Sequence, residues 1–323
     1  MLVSVLLFAV GLVLLIKGGD WFVDGATGLA RRFHIPEIIV GATVVSIGTT
    51  LPEVMVSATG ALNGQGAMAY GNAIGSIICN TALIAAITLT VRPGTVDTKS
   101  LKMPVIFFFG SAAVYCFAAY VMGQFTRPLG ILLLGIFLVY MIITIRQGFK
   151  NPIAPHEQEQ EETEKPRQLW QELVLLVAGA ALIAVGANLL VTHGTIIAQA
   201  LGVPETVIAL TFVALGTSLP ELVTAITSLA KGHGSLSLGN VIGANIFNLV
   251  LVSGVSVTLA PFAVPDGKLL LGQNASLVLD MPLMLVVMGL LTIPTLITKK
   301  LQRWQGITLL CIYGAFCLFQ FFL

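Results

Sequence analysis

The sequence predicts an all-α membrane protein of ten transmembrane helices, built as two inverted five-helix repeats, and three observations carry that prediction. Of 323 residues, 56% are hydrophobic and 10% charged, with a mean hydropathy of +0.96. A water-exposed surface needs about a quarter charged residues, so lipid is this chain's solvent. The apolar residues fall in long unbroken runs, which cross hydrocarbon as helices of roughly 20 residues, and not in the ~10-residue alternation of barrel strands. Third, a shift of 168 residues aligns "IPEIIVGATVVSIGTTLPEVMVSATGALNGQGAMAYGNAIGSIICN" (35–80) with "VPETVIALTFVALGTSLPELVTAITSLAKGHGSLSLGNVIGANIFN" (203–248) without a gap; 18 of the 46 positions are identical. The chain is therefore read as a duplication.

In order, the spans are expected at Leu2 to Val23, Ile38 to Leu62, Ala67 to Val91, Met103 to Met122, Pro128 to Ile145, Leu173 to Val191, Val207 to Ala230, Leu236 to Ala260, Ser276 to Ile297 and Ile307 to Leu323. The first has no basic segment before it and no small-residue cleavage site after it, so it is expected to stay as a helix. The second and seventh carry the matching "GTTLPE" and "GTSLPE", the third and eighth the matching "GNAIGSIICN" and "GNVIGANIFN". Asp20, Asp24 and Asp280 lie near span ends and read as interface residues. Five spans per copy is an odd number, so the second copy must start on the opposite side of the membrane from the first. That is an inverted repeat, dividing the chain into residues 1–145, a linker 146–170, and residues 171–323; such repeats characterise secondary transporters.

With the amino terminus outside, 14 of the 16 Lys and Arg residues fall on the inner side, and only Arg127 and Lys268 outside. The positive-inside rule then places both termini outside and the 146–170 loop in the cytoplasm of a multi-pass membrane protein. The Glu-, Gln- and Pro-rich composition of the loop cannot bury a core, so it reads as a flexible tether. Its Glu157, Glu159, Glu161, Glu162 and Glu164 are either a solvated run or a regulatory cation site. Cys79, Cys116, Cys311 and Cys317 lie inside spans without metal-type spacing and read as packing residues.

Ser46, Thr49, Thr50 and Glu53 are three and four residues apart and share a helix face; Thr217, Ser218 and Glu221 repeat the arrangement. Pro52 has no N–H for the carbonyl of Gly48, so the turn from Gly48 to Leu51 is expected to open, and Pro220 should act likewise on Gly216. The result is either a bland kink or a set of freed carbonyls that line a cavity or bind an ion. Asn72, Ser76 and Asn80 form a second stripe beside Gly71 and Gly75; Asn240, Ala244 and Asn248 repeat it beside Gly239 and Gly243. The glycines let the stripe approach the glutamate helix, and Asn80 and Asn248 are either ligands or interhelical glue.

Hydroxyls, carbonyls and carboxylates are hard oxygen donors suited to Ca²⁺ or Na⁺, whereas zinc, copper and iron are poor candidates. A carboxylate mid-span costs roughly 2.5–3.5 kcal/mol on insertion scales. Two that face each other require a divalent cation, two monovalent cations or protons before the site can close off from water. Obligate exchange follows from that requirement.

At these two motif pairs the chain resembles the cation/calcium antiporter superfamily, of the sodium/calcium exchanger type, and in particular its small bacterial branch, which implies a bacterial inner membrane. The resemblance implies that Glu53 and Glu221 ligate Ca²⁺ with Thr49 and Thr217. It implies Na⁺ sites that use the carbonyls of Ser46 and Ala214 together with Thr50, Ser218 and Ser76, and alternating access by movement of the first and sixth helices past the other eight. Ala244 and Asn248 depart from the family pattern, which has a serine and often an acid at those positions.

The function expected is a secondary active antiporter that exports Ca²⁺ across the inner membrane in exchange for Na⁺. Ca²⁺/H⁺ exchange is the alternative, and a cation channel or cation-binding sensor the alternative of another class. There is no G-x-x-x-x-G-K-[ST] for ATP, and His34, His156, His193 and His233 read as solvated loop or span-end residues, so no enzyme is expected. The partners expected are the lipid bilayer and the transported inorganic cations, with no cofactor, nucleic acid or obligatory protein partner.

Overall fold

The structure, a computed structural model, describes residues 2–150, 167–201, 216–267 and 269–322. Among them, eight helices are long and apolar enough to cross a membrane: α1 Leu2–Arg32, α2 Glu37–Leu62, α3 Gly66–Val91, α4 Thr98–Met122, α5 Arg127–Lys150, α6 Leu169–Ala200, α8 Gly234–Leu259 and α9 Ser276–Thr298. Two shorter apolar helices, α7 Leu219–Ala230 and α10 Arg303–Phe322, complete the set. The protein is a multi-pass helical membrane protein. The first part of the expected seventh span, and the five loop glutamates with His156, lie outside the described residues.

Hydropathy alone misplaces several helix ends. α1 continues past Val23 to Arg32, because Asp24 stops the apolar run without stopping the helix. α6 likewise reaches Ala200, and His193, expected at a span end, sits within it.

The degree of burial separates the helices into centre and periphery. In their most apolar stretches α8 is 83% buried, α3 72% and α2 61%, against 28% for α1, α5 and α6. The central helices are those that carry the polar motifs. Around them pack Phe108, Tyr115, Phe125, Tyr140 and Phe247, all fully buried; Tyr115 stacks on Phe125 at 4.6 Å and Phe137 meets Phe247 edge-on at 5.1 Å. Since lipid is as apolar as leucine, such packing and interhelical hydrogen bonds hold the helices together.

α1 and α6 pair through glycines spaced seven apart, the heptad of left-handed helix packing. A Cβ on Gly11 would come within 2.9 Å of Gly186 O, one on Gly18 within 2.9 Å of Gly179 O, and one on Gly25 within 2.6 Å of Glu172 O. The contacts run in opposite directions along the two helices, which are therefore antiparallel. They are also reciprocal under the 168-residue offset, which carries Gly11 to Gly179 and Gly18 to Gly186.

Short strands at the two ends of the bundle repeat this reciprocity. Gly94–Thr95, between α3 and α4, pairs antiparallel with Lys300–Leu301, between α9 and α10. Phe262–Ala263, the 168-residue equivalents of the former, pair with Gln124–Phe125 between α4 and α5. A hairpin, Leu269–Leu270 with Gln273–Asn274, has no counterpart in the first half.

The widened turns lie elsewhere than expected. α2 stays α-helical from Ser46 to Leu62 straight through Pro52, and the loss of one N–H does not open the turn from Gly48. Instead, π-helical turns occupy Gly41–Val45, Asn80–Ala85 and Asn248–Val252. The last two start at equivalent asparagines. Hydroxyls five residues on satisfy carbonyls of these turns: Ser46 Oγ donates to Gly41 O at 2.7 Å and Ser253 Oγ to Asn248 O at 3.0 Å. Tyr140 donates to Ala42 O at 2.9 Å. Pro220, by contrast, sits in the first turn of α7, where its missing N–H would have no intrahelical acceptor anyway.

Candidate cation site

Glycine lets α2 and α8 cross in near backbone contact: a Cβ on Gly41 would lie 2.4 Å from Leu236 O, and one on Gly239 2.2 Å from Ile38 O. The crossing brings the asparagine stripe of α8 against the hydroxyls of α2. Thr49 Oγ1 donates to Asn240 Oδ1 at 3.2 Å, and Ser46 Oγ to Asn240 O at 3.0 Å and Oδ1 at 3.4 Å. The equivalent pair in the other half closes the same way, with Thr217 Oγ1 donating to Asn72 Oδ1 at 3.2 Å. Asn72 Nδ2 in turn donates to Glu53 O at 3.2 Å and to Ser57 Oγ at 2.8 Å.

These bonds draw Glu53 and Glu221 together. Both are fully buried, and Thr50, one turn before Glu53 on α2, donates from Oγ1 to Glu221 Oε1 at 3.4 Å. Around them are fully buried polar atoms with no partner among the described residues: both carboxylate oxygens of Glu53, Oε2 of Glu221, Oγ of Ser218, and both amide atoms of Asn80 and of Asn248. A buried polar atom left unsatisfied costs about 1–3 kcal/mol, more if charged. Such a concentration of oxygens fits a hard cation that takes six to eight of them.

Of the residues singled out from sequence, Ser46, Thr49, Thr50, Glu53, Ser76, Asn80, Ser218, Glu221 and Asn248 are all buried and Thr217 partly so. Ala214 lies outside the described residues. The hydroxyl proton of Ser46 is directed to Gly41 O and Asn240, which leaves the lone pairs of its oxygen available to a cation. Asn72 and Asn240 were placed in the second stripe from sequence but given no role of their own, and the structure shows them tying the two halves together. Their signal is identity in both copies, one helical turn or two from Ser76 and Asn80.

One expectation is corrected. His233 is not solvated: its Nδ1 lies 2.7 Å from Glu37 Oε1 and its side chain is 12% exposed, because the α7–α8 turn folds onto the start of α2. Asp20 and Asp24, read as interface residues, lie within α1, are about a third exposed and pair with Lys231 at 3.4 and 2.7 Å.

The fold and the site define a multi-pass helical membrane protein with a buried cluster of carboxylate, hydroxyl and amide groups drawn from two related halves. The chain belongs to the sodium/calcium exchanger protein family, which it matches over residues 3–146 and 172–322. It is 36% identical over 296 residues to the putative antiporter CaxA of Alkalimonas amylolytica, covering 90% of this chain and 91% of that protein. It is 38% identical over 268 residues to the inner membrane protein YrbG of Escherichia coli, covering 81% of each. The solved structure of the sodium-calcium exchanger NCX_Mj soaked with Na⁺ and Sr²⁺ superposes with a TM-score of 0.81 at 32% identity, covering 97% of both chains.

Proposed function

We propose that this protein is a secondary active antiporter that exports Ca²⁺ across a bacterial inner membrane in exchange for Na⁺. The observation that carries the reading is the pair of fully buried glutamates, one from each copy of the repeat, linked through Thr50, which sits one turn from Glu53 and donates to Glu221. Glu53 and Glu221 hold Ca²⁺ with Thr49 and Thr217. Na⁺ binds through the carbonyls of Ser46 and Ala214, with Thr50, Ser218 and Ser76 and the amides of Asn80 and Asn248. One Ca²⁺ balances two carboxylates, and without cations the paired charges oppose closure.

The ten apolar helices form two inverted five-helix halves, 1–145 and 171–323, joined by the cytoplasmic linker 146–170. Antiparallel α1 and α6, the reciprocal strands and the reciprocal Thr–Asn bonds support that arrangement. Both termini face outside: Arg31, Arg92, Lys231, Lys299 and Lys300 belong to the end of the bundle where Gly94–Thr95 meets Lys300–Leu301, and the positive-inside rule assigns that end to the cytoplasm.

Ala244 and Asn248 favour a second reading, Ca²⁺/H⁺ exchange. The buried methyl group of Ala244 supplies no oxygen, and two carboxylates around three Na⁺ would leave a net positive charge. Calcium uptake into proteoliposomes decides between the readings. Uptake driven by a Na⁺ gradient with an uncoupler present is the result expected, and uptake that needs a proton gradient would replace Na⁺ by H⁺. Glu53→Gln and Glu221→Gln are each expected to abolish exchange while the protein still elutes as a folded monodisperse species. Wild-type flux in either variant would overturn the assignment.

A further inference from the structure

Three helices that carry the cation-site residues end at a cavity of about 200 Å³ at the basic end of the bundle, whose lining includes neither glutamate. It is lined by Arg92 just past α3, Leu229 in the last turn of α7, and Gly234, Ser235 and Ser237 in the first turn of α8, with Thr95 from the strand beside them. The first turn of α8 has no side-chain cap, since the His233 ring is engaged with Glu37. Amide donors there have no intrahelical acceptor, and the helix dipole favours an anion at that end.

An independent observation marks the same place. Ser237 is 2% exposed and its Oγ has no partner among the described residues. Arg92 Nη1 donates to Leu229 O at 3.2 Å, which fixes the guanidinium at the cavity. Nothing lies within 4 Å of where a Cβ would stand on Gly94, Gly232 or Gly234, so the cavity has open backbone around it, and Gly232 at φ +90° takes a conformation that disfavours other residues. Lys300 pairs in register with Thr95, and Val96 N donates to Lys299 O at 3.1 Å, which adds two lysines to the neighbourhood. Asp97, the nearby acid, is turned to the start of α4, where it accepts from the amides of Lys99 and Ser100 and from the Ser100 hydroxyl.

We propose that this cavity binds a phosphate group. A guanidinium, free helix-end amides and a buried hydroxyl are the donors that phosphate oxygens take. The volume suits a phosphate with the first atoms of an ester but not a nucleotide, since drug-sized pockets run about 300–1,000 Å³. The same chemistry is offered by inorganic phosphate and by the headgroup of an anionic phospholipid at the membrane surface. Occupancy would act on α8 one turn from Asn240, and on the ends of the helices that hold Asn80 and Glu221.

The test uses the purified full chain in nanodiscs and reads binding, not transport. Inorganic phosphate is titrated by calorimetry in phosphatidylcholine discs, and lipid retention is read by native mass spectrometry from discs that contain phosphatidic acid. Saturable binding of either probe is expected, weakened about tenfold or more by Arg92→Gln and several-fold by Ser237→Ala. Glu53→Gln should leave it unchanged, which separates this proposal from the transport assignment. Binding of inorganic phosphate identifies the free ion as the source, and retention of phosphatidic acid alone identifies the lipid. If neither probe binds saturably, or if both variants bind as the wild type does, the proposal is overturned.

Discussion

Asn72 and Asn240 occupy equivalent places and do unequal work. Each offers its Oδ1 to a threonine of the other half, but only Asn72 also uses its Nδ2, on Glu53 O and Ser57 Oγ; at the position equivalent to Ser57 the second half has Ala225, and Asn240 Nδ2 has no partner among the described residues. Asn72→Leu therefore strands a threonine and a serine, at about 1–3 kcal/mol for each group left buried and unsatisfied, while Glu53 O keeps its helical amide partner. Asn240→Leu strands Thr49 chiefly, because Ser46 keeps Gly41 O. Thermal melts in detergent should rank Asn72→Leu as the more destabilised of the two, and equal melting points would mean that the reciprocal bonds carry little. Asn248 is the residue at which charge can be tested directly. Asn248→Asp adds a third carboxylate, so that one Ca²⁺ leaves the site net negative and three Na⁺ leave it neutral. Sodium should displace Ca²⁺ from this variant at lower concentration than from wild type, read by radioactive calcium binding.

At the scale of helices, glycine decides which pairs approach. A Cβ on Gly18 would meet Ile183 N at 2.8 Å and Gly179 O at 2.9 Å, all of it backbone or near-backbone, whereas a Cβ on Gly110 would meet nothing within 4 Å. Gly18→Leu should force α1 off α6, at 1–3 kcal/mol or more for overpacking, and reduce the folded yield on size-exclusion chromatography. Gly110→Leu should elute as the wild type does. The physical reasons for what the sequence revealed differ from element to element. Glu53, Glu221 and their threonines were legible because a buried carboxylate is costly and its duplication cannot be incidental. The glycine heptads of α1 and α6 were present but inconspicuous, because in an apolar run glycine looks like any small residue until the partner helix is known. The π-turns were misplaced onto Pro52 because a missing N–H is visible in sequence, while the widening at Gly41–Val45 depends on Tyr140 and on the hydroxyl of Ser46, and only one of those is local. Helix ends such as Arg32 were missed because hydropathy reports where the lipid ends, and helix formation does not stop there.

Across the whole molecule, α1 and α6 form a pair: closely packed to each other and, with α5, the least buried of the long helices, they flank a centre of α2, α3 and α8. α1 is tied by charge at one end only. Residues 2–16 carry no charge, while Asp20 and Asp24 meet Lys231 of the α7–α8 turn, and Asp24 also lies 3.9 Å from Arg167. These pairs are about a third exposed, and exposed ion pairs contribute only about 0–1 kcal/mol, weak enough to break in each cycle. If exchange requires the pair to slide past the centre, a tether at that end must stop it. In a background without native cysteines, Asp24→Cys with Lys231→Cys joined by a short reversible bis-thiosulfonate should arrest calcium exchange, and a reducing agent should restore it. The same reagent across Thr95→Cys and Lys300→Cys, which pair between two turns that belong to neither α1 nor α6, should leave exchange intact. Arrest at both sites would assign the motion to a different division of the helices, and free exchange with the first pair linked would show that α1 does not move against the α7–α8 turn.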